Sequence, residues 1–148
     1  MIRIVLAAAV LGLGVSALVA QTDPIEARKA LMQENGKQGK VAINMIEGKR
    51  PFNLEEAKKV FASFIEAGEK EPALFPDDSK EGKTRALPAI WENRADFTAR
   101  FAKLVTDSKS GSEATKDLET FKTQIIMVDK NNCDPCHERY RRPRNEPK

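Results

Sequence analysis

Two cysteines and a histidine near the carboxyl end of the 148-residue chain have the spacing of a chemical site. Cys133 and Cys136 are the only cysteines, and His137, which follows directly, is the only histidine. On a helix, residues three and four apart share a face, so both thiols can reach one edge of a porphyrin while the imidazole points at its iron. The pattern is C-x-x-C-H, which predicts covalent attachment of one haem c through two thioethers.

Three other uses of these side chains compete with haem. A structural disulfide is open to an exported chain, but it would leave His137 without a role. A structural zinc site needs four protein ligands, and the chain has no third cysteine and no second histidine. A thioredoxin-like redox pair needs an α/β framework, which the sequence pattern does not predict. Haem attachment is therefore the favoured interpretation.

The single histidine excludes a second imidazole on the iron and leaves a methionine, a lysine or an open position opposite His137. Met127 lies close to the motif on the same predicted helix and cannot easily cross to the other face. Met32 lies on the inward row of the first predicted helix, where Gly36 and Gly39 follow it and would let a flat macrocycle approach. Core packing explains Met32 equally well, so its spacing leaves ligation and packing both open.

Helical periodicity predicts four amphipathic segments that must position these groups. They run from about Pro24 to Ile46, Leu54 to Ala67, Pro88 to Ser108 and Glu113 to Arg141. Asp23 and Asn53 are predicted N-caps, and Gly68 and Gly111 are predicted to end the second and third helices. Residues 69–85 read as a surface loop. The predicted fold class is all-α, an antiparallel four-helix bundle with one covalently bound haem c.

The amino-terminal segment is predicted to be removed by cleavage. Arg3 precedes an uncharged apolar run from Ile4 to Val19, and Ala20 precedes polar residues. This layout predicts a signal peptide over residues 1–20 and a bundle domain over residues 21–148. A membrane anchor is disfavoured, because the run is shorter than the ~20 residues that a spanning helix needs. We therefore expect a periplasmic protein without stable membrane insertion.

The charge balance limits the classes of partner. A formal net charge of +3 gives no signal for nucleic-acid binding. The arginines of the tail, at positions 139, 141, 142 and 144, could steer an acidic redox partner, although salt weakens such steering and a solvated helix end is the alternative. The first two predicted helices have no clear second apolar face, which favours a monomer over a homodimer.

The motif on the last helix of an exported four-helix chain resembles the cytochrome c′ family, the class II c-type cytochromes. The resemblance extends over residues 21–148 and rests on Cys133 to His137 followed by Tyr140-Arg141, on Arg28-x-x-x-Met32, and on Pro88-Ala89-Ile90-Trp91. It implies that Met32 faces the distal side of the iron and closes the sixth position, as in the low-spin branch of the family. It also implies that the cation of Arg141 lies close to His137.

Arg28 lies on the inward row of the first predicted helix, and a buried charge needs a partner. A haem propionate is a suitable partner, with Arg94 as a second candidate to bind it. The alternative is that both side chains extend to the surface.

These features predict a non-enzymatic periplasmic c-type cytochrome with His/Met axial ligation that carries one electron between redox partner proteins. The alternative is a five-coordinate cytochrome c′ that binds a small gas such as nitric oxide, which requires an open or labile sixth site. A peroxidase is disfavoured, because the chain has no distal histidine. No catalytic residue is therefore predicted.

Overall fold

A computed structural model of the chain describes residues 23–143 and residue 145. Within that part the α-helices are α1 (Pro24–Ile46), α2 (Leu54–Lys70), α3 (Ala89–Glu92), α4 (Arg94–Ala114), α5 (Leu118–Val128) and α6 (Asp134–Tyr140). Two 3₁₀ turns, Glu71–Leu74 and Asp77–Ser79, follow α2, and a π-helical turn, Asp129–Cys133, joins α5 to α6. The predicted signal peptide lies outside the described residues, among which no helix is long and apolar enough to span a membrane.

The long helices form a four-helix bundle, so the predicted all-α fold class is confirmed. The first, second and third bundle helices are α1, α2 and α4, and the fourth is composite, made of α5, the π-helical turn and α6. The most extensive helix contact is between α2 and α4, while α1 packs on α2 and α4 packs on α5. In the described part, β-type backbone pairing is an isolated antiparallel bridge between Ala86 and Arg141.

Side-chain caps begin the first two helices, as the sequence predicted. The carboxylate of Asp23 accepts a hydrogen bond from the backbone N–H of Ile25 at 2.8 Å. The side-chain oxygen of Asn53 accepts one from the N–H of Glu56 at 3.0 Å. Each cap satisfies a backbone donor that the first helical turn leaves without a partner.

Two glycines that were predicted to end helices instead lie inside them, where α2 and α4 cross. Gly68 is buried within α2, and a Cβ there would lie 2.5 Å from Cγ2 of Val105. Gly111 is buried within α4, and a Cβ there would lie 2.8 Å from Cε1 of Phe61. Both predicted helix ends were wrong. Glycine at these positions lets α2 and α4 pack closely and does not form a turn.

Gly68→Ala is expected to lower the free energy of unfolding by about 1–3 kcal/mol, because the added methyl group overpacks the α2–α4 contact. Urea unfolding followed by circular dichroism measures the change. Gly36→Ala is the matched control: a Cβ at Gly36 meets no atom within 4 Å, so that variant should gain about 0.5–1 kcal/mol from helix propensity. Equal midpoints for the two variants would contradict close packing at Gly68.

The predicted third helix breaks elsewhere than expected. It is interrupted at Asn93, whose φ of −125° and ψ of 46° are not helical, and α4 then continues to Ala114. The fourth helix begins at Leu118 with Asp117 as its N-cap, four residues after the end of α4 and five later than the sequence predicted. The start of α5 had a local signal in the capping box of Asp117 and Thr120, whereas no proline or glycine at Asn93 marks the break there.

The residues that α1 buries match the predicted inward row at Arg28 but differ from it in the second half of the helix. Arg28, Ala42 and Met45 are buried, whereas Ile43 is 52% exposed and Gly36 is exposed. The turn after Met32 faces α2 through polar groups, because Oγ of Ser63 donates to Oδ1 of Asn35 at 2.7 Å. Apart from the local helix backbone, a Cβ at Gly36 or Gly39 would meet no described atom within 4 Å, so packing among the described residues does not require either glycine.

Candidate haem site

The last bundle helix widens just before the C-x-x-C-H motif. The backbone N–H of Asp134 donates to the carbonyl of Asp129, five residues back, which is a π-helical bond. Pro135 has no N–H and its ring conflicts with the carbonyl four residues earlier, so a wider turn accommodates it without ending the helix. Nδ2 of the buried Asn132 donates to Asp107 of α4 at 2.8 Å, which ties this turn to the bundle.

The two thiols are neutral, half-buried groups, with Cys133 at the end of the π-helical turn and Cys136 in the first turn of α6. Neither forms a disulfide. Burial raises the pKa of Cys133 to about 12, with the nearby carboxylate of Asp129 acting in the same direction, and burial also raises the pKa of Cys136. Reactive redox dithiols and metal thiolates depend on a lowered thiol pKa, so this environment does not favour either use. It suits thiols that end as uncharged thioethers.

The imidazole of His137 is held neutral. Burial lowers its pKa to about 4, and the cations of Arg141 and Arg85 act in the same direction, while Asp134 opposes them. A neutral ring keeps a nitrogen lone pair for a metal at neutral pH. The structure places Arg141 directly after α6, near enough for its charge to act on His137. Its role at a bound haem stays a prediction.

Backbone bonds fasten the end of α6 to the segment that precedes α3. The N–H of Leu87 donates to the carbonyl of Tyr140 at 3.0 Å, and the N–H of Arg142 donates to the carbonyl of Arg85 at 2.8 Å. The Tyr140 hydroxyl donates to the carboxylate of Asp96 on α4. The helix that carries the motif is therefore fixed on two sides.

Met32 and the motif face the same apolar core. Met32 is half-buried and packs against the main hydrophobic cluster, and so does Cys136. Met127, which the sequence disfavoured as a ligand, is 50% exposed. The placement of Met32 is compatible with both of its predicted roles, core packing and iron ligation.

Arg28 is buried, with 4% of its surface exposed, so the alternative in which it extends to the surface is wrong. Its Nη1 donates to the Leu74 carbonyl at 3.0 Å and to Oγ of Ser79 at 2.9 Å. Its Nη2 donates to the Ser79 carbonyl at 3.0 Å and to Oγ1 of Thr84 at 2.9 Å. These bonds use all four Nη hydrogens, so a propionate would need the Nε hydrogen or would displace one of them. A propionate contact at Arg28 stays a prediction.

Residues 69–85, predicted as a surface loop, form part of a wall of the core. Glu71, Phe75 and Ser79 are buried. The Phe75 carbonyl accepts from Nε1 of Trp91 at 3.1 Å and from Nη1 of Arg94 at 2.7 Å, so Arg94 also has a protein partner. The prolines and charged residues of this segment led to the prediction of a surface loop. The apolar Leu74-Phe75 pair between two prolines was the one sequence feature that indicated burial.

Glu71 is a residue of the site that sequence reasoning missed. Its side chain is 1% exposed, and its Oε1 has no hydrogen-bond partner. Burial raises its pKa to about 8, against the attraction of the Arg28 cation. The 3₁₀ turn that carries Glu71 packs against α1, the helix of Met32, and the charge of Glu71 acts on Cys136.

The residues present fit a covalent haem. Two neutral thiols at C-x-x-C spacing, a neutral imidazole beside them, and a methionine on the same core supply the attachment and axial groups that haem c requires. The bundle and its C-terminal motif together define a four-helix c-type cytochrome.

Comparison with known proteins identifies the family. The family model described as cytochrome c′ matches residues 23–141, and the chain belongs to this family. It is 38% identical to cytochrome c′ of Rhodopseudomonas palustris over 95% of this chain and 96% of that protein. It is 33% identical to cytochrome c-556 of the same organism over 95% of this chain and 97% of that protein. A solved structure of R. palustris cytochrome c′ superposes with a TM-score of 0.80 at 37% identity, covering 84% of this chain and all of the other. The predicted cofactor, haem c, is confirmed.

Proposed function

We propose that the protein is a single-electron carrier whose haem is bonded to Cys133 and Cys136 and whose iron is held between His137 and Met32. The observation that carries this proposal is that Cys136 on α6 and Met32 on α1 pack against one apolar core, with the neutral imidazole of His137 next to Cys136. Haem iron, when bound, supplies a one-electron redox couple, and a thioether ligand raises its potential. The similarity to a protein named cytochrome c-556 supports the same branch of the family.

The chain's own residues supply a rigid and largely dry setting. α6 is fastened to the segment before α3 by backbone bonds, and Arg28 holds Ser79 and Thr84 against α1. Edge-on aromatic contacts, such as Phe75 against Phe97 with ring centroids 4.8 Å apart, fill the core between them. Ligands on elements that move little favour rapid electron exchange.

Gas binding is the second candidate function. The observation in its favour is the higher identity to a protein named cytochrome c′ than to the protein named cytochrome c-556. It requires a sixth position that is open or only weakly closed by Met32. Neither candidate assigns a catalytic residue to the chain.

The optical spectrum of the purified haem protein tests the proposal. We expect low-spin bands in both oxidation states and no response to carbon monoxide. Met32→Ala is expected to become high-spin and to bind carbon monoxide, because the variant loses the sixth ligand. Met127→Ala, at an exposed position, is the control and should keep the original spectrum. A low-spin Met32→Ala protein would show that another side chain holds the iron.

We also propose the cellular setting. Cleavage near Ala20 would release residues 21–148 into the periplasm, where a reducing or oxidising partner protein meets the chain. The exposed Arg139 and Arg141 near the end of α6 would favour an acidic partner, and the monomer is the proposed state. Mass spectrometry of the mature amino terminus and size-exclusion chromatography of the exported protein test these points.

A further inference from the structure

We infer that Glu71 makes this protein carry a proton together with each electron. In mildly alkaline solution its buried carboxylate takes up a proton from solvent when the cofactor is reduced and returns it when the cofactor is oxidised. The inference rests on the proposed electron-carrier function and extends it from electron transfer to transfer of a hydrogen equivalent.

The position of Glu71 makes the charged form of its side chain unfavourable. The residue lies in the 3₁₀ turn after α2, 1% exposed, and its Oε1 has no hydrogen-bond partner. An ionised carboxylate without hydrogen bonds away from water is strongly disfavoured, and such a group takes a proton instead. The result is a pKa of about 8.

The charged groups around Glu71 set this balance. From α1 the cation of Arg28 favours the carboxylate, but all four of its Nη hydrogens are bound to Leu74, Ser79 and Thr84. On α6 the group on which the Glu71 charge acts is Cys136, which is an uncharged thioether once haem is attached. The helices α2 and α4 also pack against the 3₁₀ turn, and among the described residues none of their charges shifts the pKa of Glu71. The cation that stabilises the Glu71 carboxylate is therefore Arg28, and its Nη hydrogens are already bound to other groups.

The coupling to electron transfer follows from Coulomb's law. The 3₁₀ turn of Glu71 packs against α1, which carries the proposed ligand Met32, and Arg28 of α1 bonds to Leu74 of that turn. The charge of Glu71 also acts on Cys136, a proposed point of haem attachment. An electron received from a reduced partner adds one negative charge to this region, which favours protonated Glu71. One O–H bond forms at the carboxyl with a proton from water. When an oxidised partner removes the electron, that O–H bond breaks and the proton returns to solvent.

The midpoint potential of the purified haem protein, measured against pH by spectroelectrochemistry, tests the inference. Over the pH window between the Glu71 pKa values of the oxidised and reduced protein, the potential should fall by about 59 mV per pH unit, one tenfold change for one electron. Glu71→Gln keeps the size and shape of the side chain but cannot exchange a proton. The midpoint potential of this variant should be independent of pH across that window. Glu69→Gln, at an exposed position, is the control and should retain the full slope.

A second measurement does not depend on the variant folding. Reduction of the wild-type protein in weakly buffered solution should consume protons, reported by a pH dye, and redox-difference infrared spectra should gain a protonated carboxyl band. A wild-type potential that is flat with pH, or a full slope in a folded Glu71→Gln protein, would overturn the inference. If the couple is reversible and low-spin but flat, the electron-carrier proposal stands and only the proton inference fails. A high-spin wild-type spectrum would remove the electron-carrier proposal itself.

Discussion

A variant with alanine at both Cys133 and Cys136 is expected to have the mass of the bare polypeptide after denaturation, whereas the wild-type protein keeps the added mass of one haem. The reason is that thioethers are covalent, while axial bonds from His137 and Met32 break when the fold is lost. Mass spectrometry of acid-denatured protein, purified from a host that matures cytochromes c, makes the measurement. The single variants should each retain haem through the remaining thioether.

His137→Ala is the matched control for this experiment. It removes the proposed axial ligand and leaves both thiols, so haem should stay covalently bound while the optical spectrum changes. This comparison separates attachment from ligation. Wild-type protein that denatures to an unmodified chain with a Cys133–Cys136 disulfide would contradict the assignment of the whole site.

Arg28→Met is expected to lower the free energy of unfolding by about 2–6 kcal/mol, because each of two carbonyls left without a donor in the interior costs about 1–3 kcal/mol. The substitution removes four donated hydrogen bonds and leaves the carbonyls of Leu74 and Ser79 without those donors in the interior. It also removes the guanidinium that lies 4.4 Å from the Phe75 ring centroid. Urea unfolding of the haem protein, followed by circular dichroism, measures the loss.

Lys29→Ala is the control for Arg28. The Lys29 side chain is exposed and pairs with Glu26 at 2.7 Å, and such surface pairs contribute about 0–1 kcal/mol. A loss at Arg28 no larger than that at Lys29 would contradict its role in holding residues 74–84.

The parts of the site that were predicted correctly are local in sequence. The thiol and imidazole spacing spans five residues, and helical geometry alone places such residues on one face. The Asp23 and Asn53 caps are equally local, since each side chain bonds a backbone N–H two or three residues later. The all-α class followed from periodicity over segments long enough to show it.

The errors concern contacts between residues that are far apart in the chain. Gly111 looked like a helix end, yet it packs against Phe61, which is fifty positions away. Residues 69–85 looked like solvent-exposed loop, yet Arg28 bonds to Ser79 and buries it. Nothing in the composition near Gly111 or Ser79 specifies the partner, because burial is a property of the packed bundle.

The sequence by itself determined the chemistry available to this protein: two thiols, one imidazole and a methionine, carried on helices, and hence a covalent haem. Only the tertiary structure decided the surroundings of those groups. It buried Glu71 in the turn that packs against α1, enclosed the Arg28 cation in protein hydrogen bonds, and kept His137 neutral. The physical reason is that attachment depends on spacing within one helix turn, whereas the charge state of a side chain depends on the solvent and charges that the whole fold removes or brings near.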